Sequence, residues 1–278
     1  MTQQTIDSTI DIVWSAYRSV LSKAGSLAYA STAITSGVLM QDTMDSTGWT
    51  ESELKANPDF YHLVIKPNLD RGTALARKIA AVSDRPVVAP SIFEGKPQRW
   101  SQADYMRMWL AMIEEHVTQM FMLPGWEYSN GGCEEYLKAI NMAYGFGPRT
   151  DIQPLDPDGR LIPLHVGMEK IAAALVNVHD RGRKAPSLFS TFRGLYAAYT
   201  AHKLPDFDDC PRQVNDDVYG AEQCPRHIVK DIENLLKKEY GWDGQQLALR
   251  SSSGEIRELT AMPEGLLIRP EEVDPTDE

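Results

Sequence analysis

The chain has 278 residues, 42% of them hydrophobic and 24% charged, an ordinary balance for a globular protein able to bury a large core. Acidic residues number 39 against 28 basic ones, a formal charge of −11, which argues against a dedicated double-stranded nucleic-acid binder, whose affinity rests on basic surface. No apolar run approaches the ~18 residues of a membrane span. No charged and then apolar leader opens the chain, so a cytoplasmic protein without a membrane partner is expected.

Residues 5–24 carry Ile6, Ile10, Val13, Trp14, Tyr17, Val20 and Leu21 at helical spacing, and Gly25 ends that stripe. Ser26 to Thr35 reads as a first strand running into a loop closed by Ser36-Gly37. Residues 38–67 look like a polar, tryptophan-bearing insertion of low regularity. Asn68 leads into a helix through Val82, with Leu75, Ile79 and Val82 inward. Arg85 to Pro90 is a short strand bounded by prolines, and Ser91 to Arg99 is its loop. A further helix opens at Trp100-Ser101, with Tyr105, Trp109 and Met112 on one face. Val117 to Leu123 reads as a buried strand, ended by Pro124-Gly125. A polar loop follows with Ser129 and Gly131-Gly132, and then a helix that opens with Glu134-Glu135.

Strands and helices alternating at this spacing predict an α/β fold, a parallel sheet flanked by helices in the Rossmann-like manner. Ligands bind such sheets outside the carboxyl ends of the strands. The segments expected there are Tyr29–Gly37, Ala89–Phe93 and Leu123–Gly132. After Gly147 the pattern changes: Asp156-Pro-Asp-Gly-Arg160 is a turn inside a small hairpin, helical stripes follow at 166–180, 187–202 and 225–239, and Ser251–Gly254 joins two short strands. The expected division is therefore an α/β domain at 1–147, a mixed helical and hairpin extension at 148–270, and an acidic tail at 271–278. Cys210 and Cys224 each open a Cys-Pro-Arg tripeptide but lack the further ligands a zinc site needs, so free thiols, no metal and no cofactor are expected.

The two adjacent glutamates differ by helical face. Glu134 has Lys138 and Asn141 at i+4 and i+7, a polar face suited to an exposed ion pair. Glu135 has Ala139 and Met142 at the same offsets, an inward face. An inward carboxylate beside a glycine loop at a strand's carboxyl end is a candidate catalytic group.

Tyr29-Ala-Ser-Thr-Ala-Ile-Thr-Ser-Gly37, Asn68, Pro90 and Leu123-Pro-Gly-Trp-Glu-Tyr-Ser-Asn-Gly-Gly-Cys-Glu-Glu-Tyr-Leu-Lys-Ala139 together give residues 26–145 a familiar pattern. It resembles the nucleoside 2-deoxyribosyltransferase-like superfamily, which includes N-glycosidases of nucleoside 5′-monophosphates. Members show a first strand reading Tyr-[Ile/Leu]-Ala-x-Pro-[Ile/Leu]-[Thr/Ser]-x-Gly. The resemblance implies a small nucleoside or nucleotide substrate, hydrolysis or base exchange, and Glu135 as the nucleophile that attacks C1′ of the sugar. It also implies that Tyr29 orients that carboxylate. Ser129 and the amides of Asn130, Gly131 and Gly132 would hold a sugar hydroxyl or phosphate, with Asn68 nearby and Trp126 walling the pocket. Members carry an aspartate in the preceding helix that serves the leaving base. Here that position falls at Met108 to Leu110, and Asp104, one turn earlier, is its expected substitute.

Plainer roles compete: a helix cap for Ser129 and Asn68, core packing for Tyr29 and Trp126, dipole compensation for Asp104. Two other functions compete as well. One is a phosphoribohydrolase of the cytokinin-activating type, whose Pro-Gly-Gly-x-Gly-Thr-x-x-Glu loop is similar to Gly131–Glu135. The other is a nucleotide-sensing module without catalysis, with residues 150–278 as its effector or partner-binding part; under any of these readings a homo-oligomer is a possible state.

Overall fold

A computed structural model describes residues 26–92, 101–145 and 147–201, the helical residues 11, 12, 15, 16, 18 and 19, and the strands 246–250 and 256–260. The chain divides into two compact units, Met1–His202 and Lys203–Glu278. The first is built on a four-stranded, all-parallel sheet of β1 (Leu27–Ser31), β2 (Val87–Val88), β3 (Val117–Met122) and β4 (Gln153–Leu155), in the order β2-β1-β3-β4. Around it lie α1 (Val38–Thr47), α2 (Glu51–Ala56), α3 (Lys66–Val82), α4 (Gln102–His116), α5 (Asn130–Ala143), α6 (Leu164–Asp180) and α7 (Pro186–Ala201).

Side chains of a strand alternate between faces, and β1 sorts the helices by that rule. Ala28 and Ala30 pack with Ala76 and Ile79 of α3 and with Phe121, Leu123 and Leu155. Tyr29, pointing the other way, meets Trp109 of α4 and Glu135 of α5. Parallel crossovers are right-handed, so stepping from β1 outward to β2 puts α3 on one face. Stepping back across β1 to β3 and on to β4 puts α4 and α5 on the other. The direction of winding thus reverses between β1 and β3. A groove on the α3 face, lined by Leu75, Ile79, Gln119, Phe121 and Leu155, lies on the side of the sheet away from Glu135.

Residues 38–67 are not irregular, as the sequence suggested; they hold α1, α2 and a π-helical turn, Tyr61–Ile65, that runs into α3. Met40, Met44, Leu54 and Val64 close a small core of their own with Trp49 and Phe60. A capping box, Thr50 with Glu53, starts α2. Asn68 accordingly sits inside α3 rather than ahead of it. Val82 is 87% exposed, because the last turn of α3 runs past the two-residue β2.

The boundary expected at 147 falls inside the first unit. Gln153–Leu155 adds the fourth parallel strand through its pairing with β3, and α6 and α7 then pack on α5 and on each other. Tyr136 of α5 donates to the carbonyls of Ile162 and Pro163 at 3.3 and 2.9 Å. The Asp156–Arg160 turn is present but closes only a single antiparallel bridge, Leu155 with Leu161. In the second unit β5 (Gln246–Arg250) and β6 (Ile256–Thr260) form the antiparallel hairpin expected around Ser251–Gly254. The expectations for Cys210, Cys224, the stripe at 225–239 and the acidic tail lie outside the described residues.

Candidate functional site

The reversal point between β1 and β3 is where an open α/β sheet offers a ligand crevice. The two loops meet there. Leu123 N–H donates to Ser31 O at 3.0 Å, and the Ser36 hydroxyl donates to Ser129 Oγ at 3.2 Å. Each loop turns on a left-handed glycine, Gly37 at φ 90° and Gly125 at φ 88°, a conformation side chains rarely tolerate. A Cβ on Gly37 would come within 2.6 Å of the Ala33 Cβ. Asn68 ties the first loop down from α3 by donating to the carbonyls of Ile34 and Ser36 at 3.0 and 3.1 Å.

Glu135 is at the centre. It lies in the second turn of α5, 4% exposed, and turns toward the carboxyl end of β1. Tyr29 Oη donates to Glu135 Oε1 at 2.6 Å, and Ser31 Oγ donates to Oε2 at 2.5 Å. Burial lifts the Glu135 carboxyl to about 7, against the lowering effect of the Ser31 and Tyr29 hydroxyls; neighbouring Glu134 adds a smaller push upward. Burial, with Glu135 beside it, raises the Tyr29 phenol well above its ordinary range, so it stays a donor. A carboxyl poised near neutrality with one donor on each oxygen is equipped to act as an anion toward an electron-poor carbon.

Ser129 caps α5, accepting from Gly132 N–H at 3.3 Å, and so stands at the start of the helix that carries Glu135. Asn130 is exposed at the helix start, Gly131 is half-buried and Gly132 buried. Cys133 is a buried thiol directed at the Trp126 and Glu127 carbonyls, and burial pushes it well above the ordinary thiol range, which makes it inert.

Three expectations need correction. Trp126 is 2% exposed and packs on Tyr136 with ring centroids 4.7 Å apart, so it is a core residue and presents no free face to a base. Glu134 is exposed as expected, but Lys138 pairs with Glu114 of α4 at 2.6 Å instead, because α4 brings a carboxylate alongside. Asp104 forms a capping box with Ser101, whose N–H and hydroxyl donate to Oδ2 at 2.8 and 2.7 Å. Those bonds hold Asp104 below the usual carboxylate range, the wrong direction for a proton donor at neutral pH. The positions where an acid was sought are apolar: Met108 and Trp109 are buried, and the Trp109 ring lies 6.2 Å from that of Tyr29.

Ser31 was missed. Its signal was the two-residue period of the strand, which puts it on the same face as Tyr29 and one step nearer the loop. Among the described residues no cluster of three or more His, Cys, Asp or Glu side chains could hold a metal ion, and no helix is long and apolar enough to cross a membrane.

No family model, curated protein or solved structure gives a significant match to the chain.

Proposed function

We propose that this protein cleaves or exchanges the N-glycosidic bond of a nucleoside or (deoxy)nucleoside 5′-monophosphate, with Glu135 as nucleophile on a Rossmann-like, deoxyribosyltransferase-like scaffold. The observation that carries this is the buried Glu135 carboxyl at the winding reversal, with a hydroxyl on each oxygen. One carboxylate oxygen attacks C1′ as the C1′–N bond breaks. The electron pair leaves with the base, which takes its proton from solvent. Water or a second base then attacks C1′, the ester bond to Glu135 breaks, and the carboxylate is restored. Tyr29 orients the nucleophile, and Ser129 with the amides of Asn130 and Gly131 would hold a sugar hydroxyl or a phosphate. The test is base release from a panel of nucleosides, deoxynucleosides and their monophosphates by the wild type, Glu135→Ala and Glu134→Ala.

A second reading, nucleotide sensing without turnover, is favoured by one observation: Asp104 is engaged as a helix cap and Trp109 occupies the region where a leaving-group acid was sought. Saturable binding of a nucleotide with no base release across the panel would support it over catalysis.

A further inference from the structure

Ser31 is the last residue of β1 and is wholly buried, with its hydroxyl 2.5 Å from Glu135 Oε2. We propose that Ser31 is a positioning residue for Glu135, fixing the second carboxylate oxygen and offsetting part of the cost of burying its anion. The proposal deepens the glycosidase reading and depends on it only for its kinetic consequences.

The torsion that turns a glutamate carboxyl is broad, so Tyr29 alone, bound to Oε1, leaves the group free to swing. A donor on Oε2 removes that freedom. When one oxygen bonds C1′ and the C1′–N pair departs with the base, the other becomes the ester carbonyl oxygen and retains a hydroxyl donor in either orientation. When water or an incoming base attacks C1′, the ester pair returns to the carboxylate and both hydroxyls stabilise it. Among the described residues the titratable groups acting on Glu135 are Tyr29 from β1 and Glu134 and Cys133 from its own helix. From α4 comes the uncharged indole of Trp109, and β3 adds Met120 and Met122 on the same face. With no cation in that set, hydroxyl donors are what favours the anion.

The experiment is a carbon-13 NMR titration of the glutamate carboxyls in the full chain, Glu135 being assigned by its loss in Glu135→Gln, together with the pH dependence of kcat and KM. In Ser31→Ala the Glu135 titration moves up by about one pH unit. The acid limb of kcat/KM moves with it, and kcat at pH 6 falls about tenfold while KM changes little. Ser31→Thr, which keeps the hydroxyl, stays near the wild type. Should the alanine variant fail to fold, Ser31→Cys, nearly isosteric with a weak donor, reads the same upward shift. An unmoved Glu135 titration in a folded Ala or Cys variant overturns the proposal. A wild type inactive on every substrate, with the titration shifted in the variant, leaves Ser31's role standing and removes the glycosidase reading instead.

Discussion

Glu135 and Glu134 are neighbours in sequence with opposite surroundings, and the contrast gives the sharpest predictions at the residue scale. Glu135→Ala removes the proposed nucleophile and should leave at most trace base release, whereas Glu134→Ala, at an exposed position, should keep turnover nearly intact and change stability by no more than about 0.5 kcal/mol. Glu135 should also cost stability above neutrality. Its folded value of about 7 lies above the ordinary 4.5, so its protonated form is favoured by folding. Stability is therefore full below about 4.5 and is lost as pH rises through about 7, a loss of about 3 kcal/mol by pH 8. Glu135→Gln should abolish this loss, so that its advantage in denaturant midpoint over the wild type grows from near nil at pH 4 to a maximum near pH 8. Glu169, lifted to about 7 by its own burial, contributes in both proteins and cancels in the difference. A difference between the two proteins that does not change with pH would contradict the assigned environment of Glu135.

Among the elements, the loop after β1 is the part of the site most dependent on remote support. Asn68 holds two of its carbonyls from α3, and α1, which follows it, is held from the turn after α6. Arg181 meets Asp42 and Asp45 at 3.1 and 2.7 Å, and Arg183 meets Asp45 at 2.5 Å. Asn68→Ala leaves two carbonyls without their donor, a cost of about 1–3 kcal/mol. It should raise KM more than it lowers kcat, because the loop carries Ser36 against Ser129, a proposed substrate-binding residue, while Glu135 keeps both of its own hydroxyls. A change in kcat alone would place Asn68 elsewhere in the mechanism. The sequence showed these elements unevenly. β1, β3, α4 and α5 were legible because their apolar periods are long and their caps, Ser101 and Ser129, are of the ordinary kind. The helices of residues 38–65 were hidden because their core is made of scattered methionines and aromatics from three short segments, each too short to show a period by itself.

For the molecule as a whole, the sheet needs more chain than its motif-bearing part. Residues 1–147 contain Tyr29, Ser31 and Glu135 but lack β4, α6 and α7, which cover the outer side of α5. A chain ending at 147 should fail to fold cooperatively, and one ending at His202, the close of the first compact unit, should give a single denaturation transition and keep any base release. A folded, active 1–147 would contradict the extent of the unit. Here the sequence misled because β4 is only three residues long and contains Pro154, tolerable at the edge of a sheet but unlike a strand to the eye. The inward carboxylate of Glu135 was legible from its helical face. The Ser31 hydroxyl on its second oxygen depended on a distance between β1 and α5, which spacing along the chain does not contain, whereas the Ser101–Asp104 capping box is written locally in its Ser-x-x-Asp spacing. The central claim, that Glu135 attacks the sugar, is tested most directly by rapid quenching of wild type with each substrate of the panel and fragmentation mass spectrometry of the peptide spanning 130–143. A pentosyl or deoxypentosyl adduct, with or without its phosphate, is predicted on Glu135, absent in Glu135→Gln and retained in Glu134→Gln. An adduct on another residue, or steady turnover with no adduct and an active Glu135→Gln, would contradict it.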